Sequence, residues 1–258
     1  MHRHHHLTLR LASSDEDLRA GERLRYRVFV EELGGDGPLV DHQGRFERDR
    51  FDPYFDHLVL VDMRRDTDAL DHVVGVYRLM TDDRAKACGQ FYSADEYDLS
   101  PLIGSGRKLL ELGRSCVHPD YRRGLALHLL WRGLADYVEN NDIEVLFGVA
   151  SFHGTEISAL AEPLSHLYQT HLAPPELRVR AQEAAYQQMN LVPQEQIDRV
   201  SAMKAVPALI KSYLRLGGYV GDGAFVDHAF NTTDICLILD TTRLTEAMRQ
   251  RLARGPLV

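Results

Sequence analysis

Charged side chains interrupt two apolar segments of the sequence that otherwise have the composition of buried strands. Arg78 lies within HVVGVYRLM, and Glu111 and Arg114 lie within LLELGRSCV. A charge in a strand that is buried on both faces is costly unless it is paired. These three residues therefore predict a polar pocket in the core. A structural salt bridge, for example between Glu111 and Arg78, and a half-exposed sheet are the alternatives.

Two further pairs of candidate residues precede these strands. Arg25 and Phe29 are four apart in a helical segment and would share one face. Asp49 and Asp52 lie in a long polar segment from residue 34 to residue 55. Long structured loops in compact domains are often functional, so we include both aspartates among the candidates.

A predicted strand, a basic loop and a helix follow one another over residues 109–138. Pro119 ends the strand because proline cannot donate a ladder hydrogen bond. Arg122, Arg123 and Gly124 then combine two cations with the free N–H groups and the positive dipole end of the helix. This arrangement predicts a site for a phosphate or pyrophosphate. An ordinary strand-to-helix turn with solvated arginines is the alternative.

Bulk composition excludes several classes of protein. The formal net charge is −8, so the molecule as a whole is not a nucleic-acid binder. No apolar run approaches the length of a membrane span, and no signal peptide is apparent. Three cysteines without paired spacing are expected to be free thiols in the cytoplasm. The histidines of residues 1–6 predict a disordered tail and no metal site.

The hydrophobic periods predict a mixed sheet with helices on both faces, formed by a single domain over residues 7–258. A polar insertion is expected around 173–207. Predicted strands cover 7–11, 57–63, 72–80, 109–117, 143–150, 224–226 and 234–239. Predicted helices cover about 13–33, 93–97, 125–138, 155–171 with an interruption or kink at Pro163, 207–216 and 243–253.

The strand–loop–helix unit resembles the acyl-CoA-binding motif of the GNAT acyltransferase superfamily. Gly124 and Ala126 fit that motif, but Tyr121 occupies the position where it has Gln or Arg. The resemblance implies a GNAT-like fold. The departure leaves room for a carrier protein as the acyl donor.

Two more specific resemblances cover most of the chain. The polar set introduced above occurs in the order found in acyl-homoserine-lactone synthases. The fuller match is to the ornithine–acyl-carrier-protein N-acyltransferases of bacterial ornithine-lipid synthesis, over about residues 8–242. The segments that carry it include RLRYRVFVEELG, FDPYFDHLVL, ELGRSCVHPDYR and VPALIKSYLRLGG.

This resemblance implies transfer of a 3-hydroxyacyl chain from acyl carrier protein to the α-amino group of L-ornithine, without a tightly bound cofactor. Glu111 is then the expected general base, with Arg114 beside it. Asp49, Asp52 and Arg78 are expected to recognise the amino acid. Arg25 and Phe29 would shape the acyl-site entrance, or Phe29 would simply pack in the core. The remaining assignments are an oxyanion contact from the backbone of Cys116 and Val117, and a phosphopantetheine or carrier contact from Arg122, Arg123 and Gly124.

Several readings remain open at this point. Related enzymes use glutamine, and acyl-homoserine-lactone synthases use S-adenosylmethionine as the acceptor. A catalytically inert GNAT-like sensor of acyl carrier protein or amino acid is the non-enzyme alternative. Because the implied product is a lipid, helix 207–216 is a candidate for peripheral contact with the inner membrane.

Overall fold

The computed structural model describes residues 6–254, so the predicted histidine tail, apart from His6, lies outside the described residues. Strands within this range are β1 (Leu7–Leu11), β2 (Asp56–Asp62), β3 (Val73–Thr81), β4 (Tyr97–Asp98), β5 (Leu109–Val117), β6 (Val145–His153), β7 (Arg180–Ala181), β8 (Tyr186–Gln187), β9 (Tyr219–Val220), β10 (Ala224–Asp227) and β11 (Thr232–Asp240). The α-helices are α1 (Asp15–Arg25), α2 (Asp82–Cys88), α3 (Ser100–Ile103), α4 (Ala126–Asn140), α5 (Ile157–His171), α6 (Arg199–Ala205), α7 (Ala208–Arg215) and α8 (Glu246–Arg254).

The chain divides into two compact units. Of the described residues, the first comprises 6–89, 112–142 and 245–254, and the second comprises 90–111 and 143–244. The boundary falls inside β5, whose first three residues belong to the second unit. The single domain expected for residues 7–258 therefore stays a prediction.

The first unit contains an antiparallel sheet with helices on both faces. β1 pairs with β2, and β2 pairs with β3, both antiparallel. Successive residues of β3 point to opposite faces. A Cβ at Gly75 would lie 3.0 Å from Leu130 of α4, whereas Val76 lies against Gly21 of α1. The predicted two-faced arrangement is confirmed for this unit.

The helix predicted over about 13–33 changes type within its length. It begins with Ser14 as the N-cap, which accepts from the Asp17 N–H, and is α-helical to Arg25. A π-helix then covers Tyr26–Glu32 and carries Phe29. π-Helical turns are rare and frequently occur at functional sites. The segment ends before Gly34, whose φ is +73°.

The second unit contains a mixed sheet. β5 and β6 pair in parallel over three residue pairs, beginning with Leu109 and Val145, and β11 runs antiparallel to β6 along nine. β6 begins two residues later than predicted and continues to His153, and α5 is not interrupted at Pro163. The segment 173–207 contains short 3-10 turns, two-residue strands and α6. No helix among residues 6–254 is both long and apolar enough to cross a membrane.

Candidate active site

Arg25, the last residue of α1, lies at the centre of a buried ion cluster in the first unit. Its side chain is fully buried. Nε donates to Glu47 Oε2 at 2.5 Å, and the two Nη atoms donate to Asp52 Oδ1 and Oδ2 at 2.5 and 2.8 Å. Nη2 also donates to the Glu47 carbonyl at 2.7 Å. Arg25 therefore belongs inside the cluster, and it has no exposed surface with which to line an acyl-site entrance.

The long loop before β2 supplies all three acids of the cluster. Phe46 and Phe51 are buried and anchor it. Between them the chain bonds to its own side chains, since Asp49 N donates to Asp52 Oδ2 and Phe51 N donates to Asp49 Oδ1, both at 2.9 Å. Such local bonds to aspartate favour turns over regular structure. They hold Asp49 and Asp52 in place, and Glu47 N donates to the Glu22 carbonyl of α1 at 3.1 Å.

Arg78 reaches the same acids from β3. Its Nη1 donates to Asp49 Oδ2 and to Asp52 Oδ1, each at 2.8 Å. Its guanidinium also lies 4.3 Å from the centre of the Phe55 ring, a cation–π contact. The sequence placed this charge in a buried strand, and the structure pairs it with two carboxylates and a ring.

Arg114 completes the cluster from β5. Its Nε donates to Glu47 Oε1 at 3.2 Å, and its Nη2 lies 3.7 Å from Asp49 Oδ2. The guanidinium lies 5.8 Å from the ring of Phe29, which is partly buried against the α1 core. The φ of Arg114 is +49°, a left-handed conformation that costs a non-glycine residue about 1–3 kcal/mol. The surrounding contacts hold this strained backbone in place.

The opposing charges set the protonation states of the cluster. Burial alone would raise the pKa of Glu47, but Arg25 and Arg114 outweigh it and hold that pKa at about 2. Asp52 is also buried, yet Arg25 and Arg78 hold its pKa well below the usual range. Burial would lower the pKa of Arg25, whereas Glu47 and Asp52 raise it. Arg25, Glu47 and Asp52 are therefore all charged at neutral pH.

The members of the ion cluster differ in side-chain exposure. Some are fully buried, and others are open enough for a ligand to contact. Arg25 and Arg78 are 0% exposed and Glu47 is 1% exposed. Asp52, Arg114 and Asp49 are 12%, 14% and 19% exposed. The last two also form the longest ion pair of the cluster. Among residues 6–254, no group of His, Cys, Asp or Glu is arranged to hold a metal ion.

Glu111 lies in the second unit, where its carboxylate binds backbone N–H groups. Oε2 accepts from Tyr92 N at 2.7 Å, and Oε1 accepts from Ser93 N at 2.6 Å. These donors open the 3-10 turn Tyr92–Asp95. Glu111 is 1% exposed, so each oxygen that leaves water gains at least one strong donor. These two hydrogen bonds give it a structural role, and its expected role as a base stays a prediction.

Side chains of the loop after β5 form hydrogen bonds that fix it to neighbouring segments. Tyr121 donates to Asp62 Oδ2 of β2 at 2.6 Å, which gives this departure from the acyl-CoA-binding motif a structural purpose. Arg122 donates to the Val117 carbonyl at 3.1 Å and pairs with Glu32 at 2.7 Å. Arg123 and Gly124 are exposed. A Cβ at Gly124 would meet only the Tyr121 carbonyl at 3.7 Å, so the backbone itself does not require glycine there.

Cys116 is not a nucleophile in this structure. Its side chain packs into the core under α1, against residues such as Leu24 and Val76. Burial raises the pKa of the thiol to about 12, so it stays protonated. Only the backbone of Cys116 is available for the predicted oxyanion contact.

Glu47 is the functional candidate that the sequence did not reveal. It lies two residues before Asp49 in FERDRFD, where an acid alternates with arginines on a polar loop. The signal that could have identified it is the pair of large aromatic residues, Phe46 and Phe51, on either side. Aromatic residues on both sides of a charged segment indicate that the segment is anchored against the core.

Comparisons with solved structures and with a domain model show the fold. The fold is similar to an N-acyl amino acid synthase from uncultured soil microbes, FeeM, with a TM-score of 0.52, 11% identity, and 95% of this chain and 98% of that one covered. It is also similar to a CoA-dependent acyl-homoserine lactone synthase, BjaI, with a TM-score of 0.53, 15% identity, and 98% and 95% covered. The Acetyltransferase (GNAT) domain model matches residues 24–132, which include every member of the ion cluster. The chain is an acyltransferase with a GNAT fold.

Curated relatives give the family. The chain is 57% identical to L-ornithine N(alpha)-acyltransferase of Rhodobacter capsulatus, over 95% of this chain and 94% of that protein. It is 43% identical to the protein of that name from Brucella abortus, over 93% and 86%, and 40% identical to that from Agrobacterium fabrum, over 92% and 82%. The chain belongs to the family of L-ornithine N(alpha)-acyltransferases.

Proposed function

We propose that this enzyme transfers a 3-hydroxyacyl chain from acyl carrier protein to the α-amino group of L-ornithine, giving lyso-ornithine lipid. The observation that carries the choice of acceptor is the 57% identity, over nearly the whole chain, to a protein named for that activity. The ion cluster supports it, because an amino acid requires both signs of charge for recognition.

Asp49 and Arg114 are the contacts that we propose for the amino acid. They are the most exposed acid and the most exposed arginine of the cluster, and their mutual pair, at 3.7 Å, is long enough to be exchanged for a ligand. The guanidinium of Arg114 suits the α-carboxylate, and Asp49 suits the side-chain ammonium of ornithine. Asp52 and Arg78 hold Asp49 in place from behind. The cluster is thus organised before substrate binds.

The reaction is aminolysis of a thioester. The neutral α-amine attacks the thioester carbon, the C–S bond breaks, and the released pantetheine thiolate takes up a proton. Glu111 is our proposed acceptor for the proton that the amine gives up, directly or through water. The backbone N–H groups of Cys116 and Val117 are the proposed donors to the oxyanion of the tetrahedral intermediate.

We assign the carrier end of the donor to the loop at Arg122, Arg123 and Gly124. Acyl carrier proteins are acidic, so exposed arginines would steer them to this loop. Arg122 is available because its pair with Glu32 lies at the surface, where such pairs contribute about 0–1 kcal/mol. Exposed Gly124 leaves room for close approach of the pantetheine arm.

An acceptor screen tests the proposal. The enzyme is incubated with 3-hydroxyacyl carrier protein and with ornithine, glutamine or S-adenosylmethionine, and products are read by mass spectrometry. Acylated ornithine as the main product is expected. Acyl-glutamine or an acyl-homoserine lactone as the main product would reassign the acceptor, and saturable binding without any product would favour the sensor.

A further inference from the structure

A cavity of about 340 Å³ lies beside α1 in the first unit and is separate from the contacts of the ion cluster. It is named the α1 cavity here, and its volume is at the lower end of the range for ligand pockets, roughly 300–1,000 Å³. Its charged or ionisable lining residues are Arg23, Arg27, Arg45, Glu31, Asp71 and His118. The three arginines are exposed, whereas His118 is buried.

Two arginines of the cavity lining remain when the ion pairs of the other charged lining residues are counted. Arg45 pairs with Glu31 at 2.5 Å, and Asp71 pairs with Arg65. Within residues 6–254, neither Arg23 nor Arg27 has a carboxylate partner. Arg23 donates only to the Gly44 carbonyl at 3.4 Å and stacks on Phe46. In a molecule of net charge −8, an uncompensated pair of arginines on one cavity is a local attraction for an anion.

Hydrogen-bond donors surround the buried ring of His118. Arg27 Nη1 lies within hydrogen-bonding distance of His118 Nε2, and the Asp120 N–H donates to His118 Nδ1 at 3.2 Å. Both partners are donors, but a neutral imidazole accepts at only one nitrogen. Burial and the charges of Arg27 and Arg65 lower the pKa of His118, so the ring is neutral.

An anion in the α1 cavity would supply the acceptor that these donors lack. With the ring proton on Nδ1, that proton faces Asp120 Oδ2 at 3.7 Å and Nε2 accepts from Arg27; with the proton on Nε2, Nδ1 accepts from the Asp120 N–H. In both cases Arg27 uses one of its five N–H groups on His118, and an anionic oxygen beside the pair would accept from the others. Arg23, four residues earlier on the same helix, lines the same cavity and adds a second charge.

The cavity is also well placed for the donor. His118 directly follows β5 and lies four residues after Arg114, a separation of at most about 14 Å along the chain. An extended phosphopantetheine arm spans more than this distance. A thioester held near Arg114 can therefore place the phosphate of its arm at His118.

We propose that the α1 cavity is a phosphate subsite, formed by Arg23, Arg27 and His118, for the 4′-phosphopantetheine arm of the acyl donor. This inference rests on the proposed function. It adds a binding contact from α1 and the π-helix to the loop after β5.

Paired donors that differ by one phosphate test the subsite. KM is measured with ornithine and either 3-hydroxyacyl-4′-phosphopantetheine or 3-hydroxyacyl-pantetheine. Arg27→Ala should raise KM for the phosphorylated donor about tenfold, the value of one charge-assisted hydrogen bond, and leave KM for the other donor within twofold. The KM of Arg27→Lys for the phosphorylated donor should lie between those of wild type and Arg27→Ala, because lysine keeps the charge but loses the paired N–H donors of the guanidinium. Arg132→Ala, an exposed arginine of α4, is the matched control and should change neither.

The failures are distinguishable. If the wild-type enzyme acylates ornithine but Arg27→Ala raises KM equally for both donors, or for neither, the phosphate subsite is wrong. If the wild-type enzyme acylates ornithine with no donor, including full acyl carrier protein, the proposed function itself fails. A third arm uses anionic phospholipid vesicles. Arg27-dependent binding to them, without a difference between the two donors, would assign the cavity to a lipid headgroup and overturn the pantetheine assignment.

Discussion

Arg25 and Asp52 form a bidentate ion pair, with Nη1···Oδ1 at 2.5 Å and Nη2···Oδ2 at 2.8 Å, in the interior of the first unit. Asp52 also accepts from Arg78 at 2.8 Å, so one carboxylate joins α1 to β3. Buried ion pairs often contribute little net stability, but removing one partner leaves an uncompensated charge. The pair therefore fixes the position of the loop that carries Asp49.

Replacing Arg25 should destabilise the fold. Arg25→Met leaves Glu47 and Asp52 without their shared partner, so the free energy of unfolding should fall by about 3–5 kcal/mol. Urea denaturation followed by circular dichroism measures the change. Arg19→Met, an exposed arginine of the same helix, is the control and should stay within about 0.5 kcal/mol of wild type. An unchanged midpoint for Arg25→Met would contradict the structural role of the pair.

The sequence predicted most of the strands and helices. It also predicted that the charged residues of the buried strands must be paired, but not which loop residues pair with them. Charges in apolar strands indicated that Arg78 and Arg114 needed partners, and both have them. The geometry that brings Glu47 to them depends on a loop without periodicity, so no pattern predicted it. The same limit applies to Arg25, because a helical position predicts a face but not its depth of burial.

Asp49 and Glu47 should respond differently to loss of charge. Asp49→Asn removes the most exposed acid of the cluster, so KM for ornithine should rise about tenfold or more, while stability should fall less than in Glu47→Gln. Glu47→Gln removes a buried one, so stability should fall with a smaller direct effect on KM. Steady-state kinetics and urea denaturation on both variants make the comparison. Equal KM values for ornithine in Asp49→Asn and wild type would remove Asp49 from the amino-acid pocket.

Acid should weaken the fold through Glu47. Its pKa is lowered to about 2 in the folded protein, so its contribution to stability is complete above the unfolded value and is lost as the pH falls. The shift corresponds to about 3 kcal/mol, lost between about pH 5 and pH 2. Other carboxylates, including Asp52, also become protonated as the pH falls. The test therefore compares the pH dependence of stability in wild type and in a Glu47 variant. The pH dependence of the unfolding free energy should be shallower in Glu47→Gln than in wild type, and parallel curves would refute it.

Thiol reagents should distinguish Cys88 from the other cysteines. Burial raises the pKa of Cys116 to about 12 and also raises that of Cys236, whereas Cys88 is partly exposed. A colorimetric disulfide reagent at pH 8 should therefore modify Cys88 alone in the native protein and all three thiols in denaturant. Activity should survive modification of Cys88. Rapid modification of Cys116 in the folded enzyme would contradict the burial of its thiol.

Glu111→Gln separates the proposed base from a structural carboxylate. The amide has one acceptor oxygen for the two N–H groups of Tyr92 and Ser93, so some loss of stability, about 1–3 kcal/mol, is expected in either case. Turnover must therefore be measured at a temperature where circular dichroism shows the variant folded. Loss of a general base should lower kcat by about 10²–10⁴ and abolish the acidic limb of the kcat/KM profile. If that limb persists with kcat close to wild type, Glu111 only caps the turn, and the α-amine of ornithine loses its proton to another group.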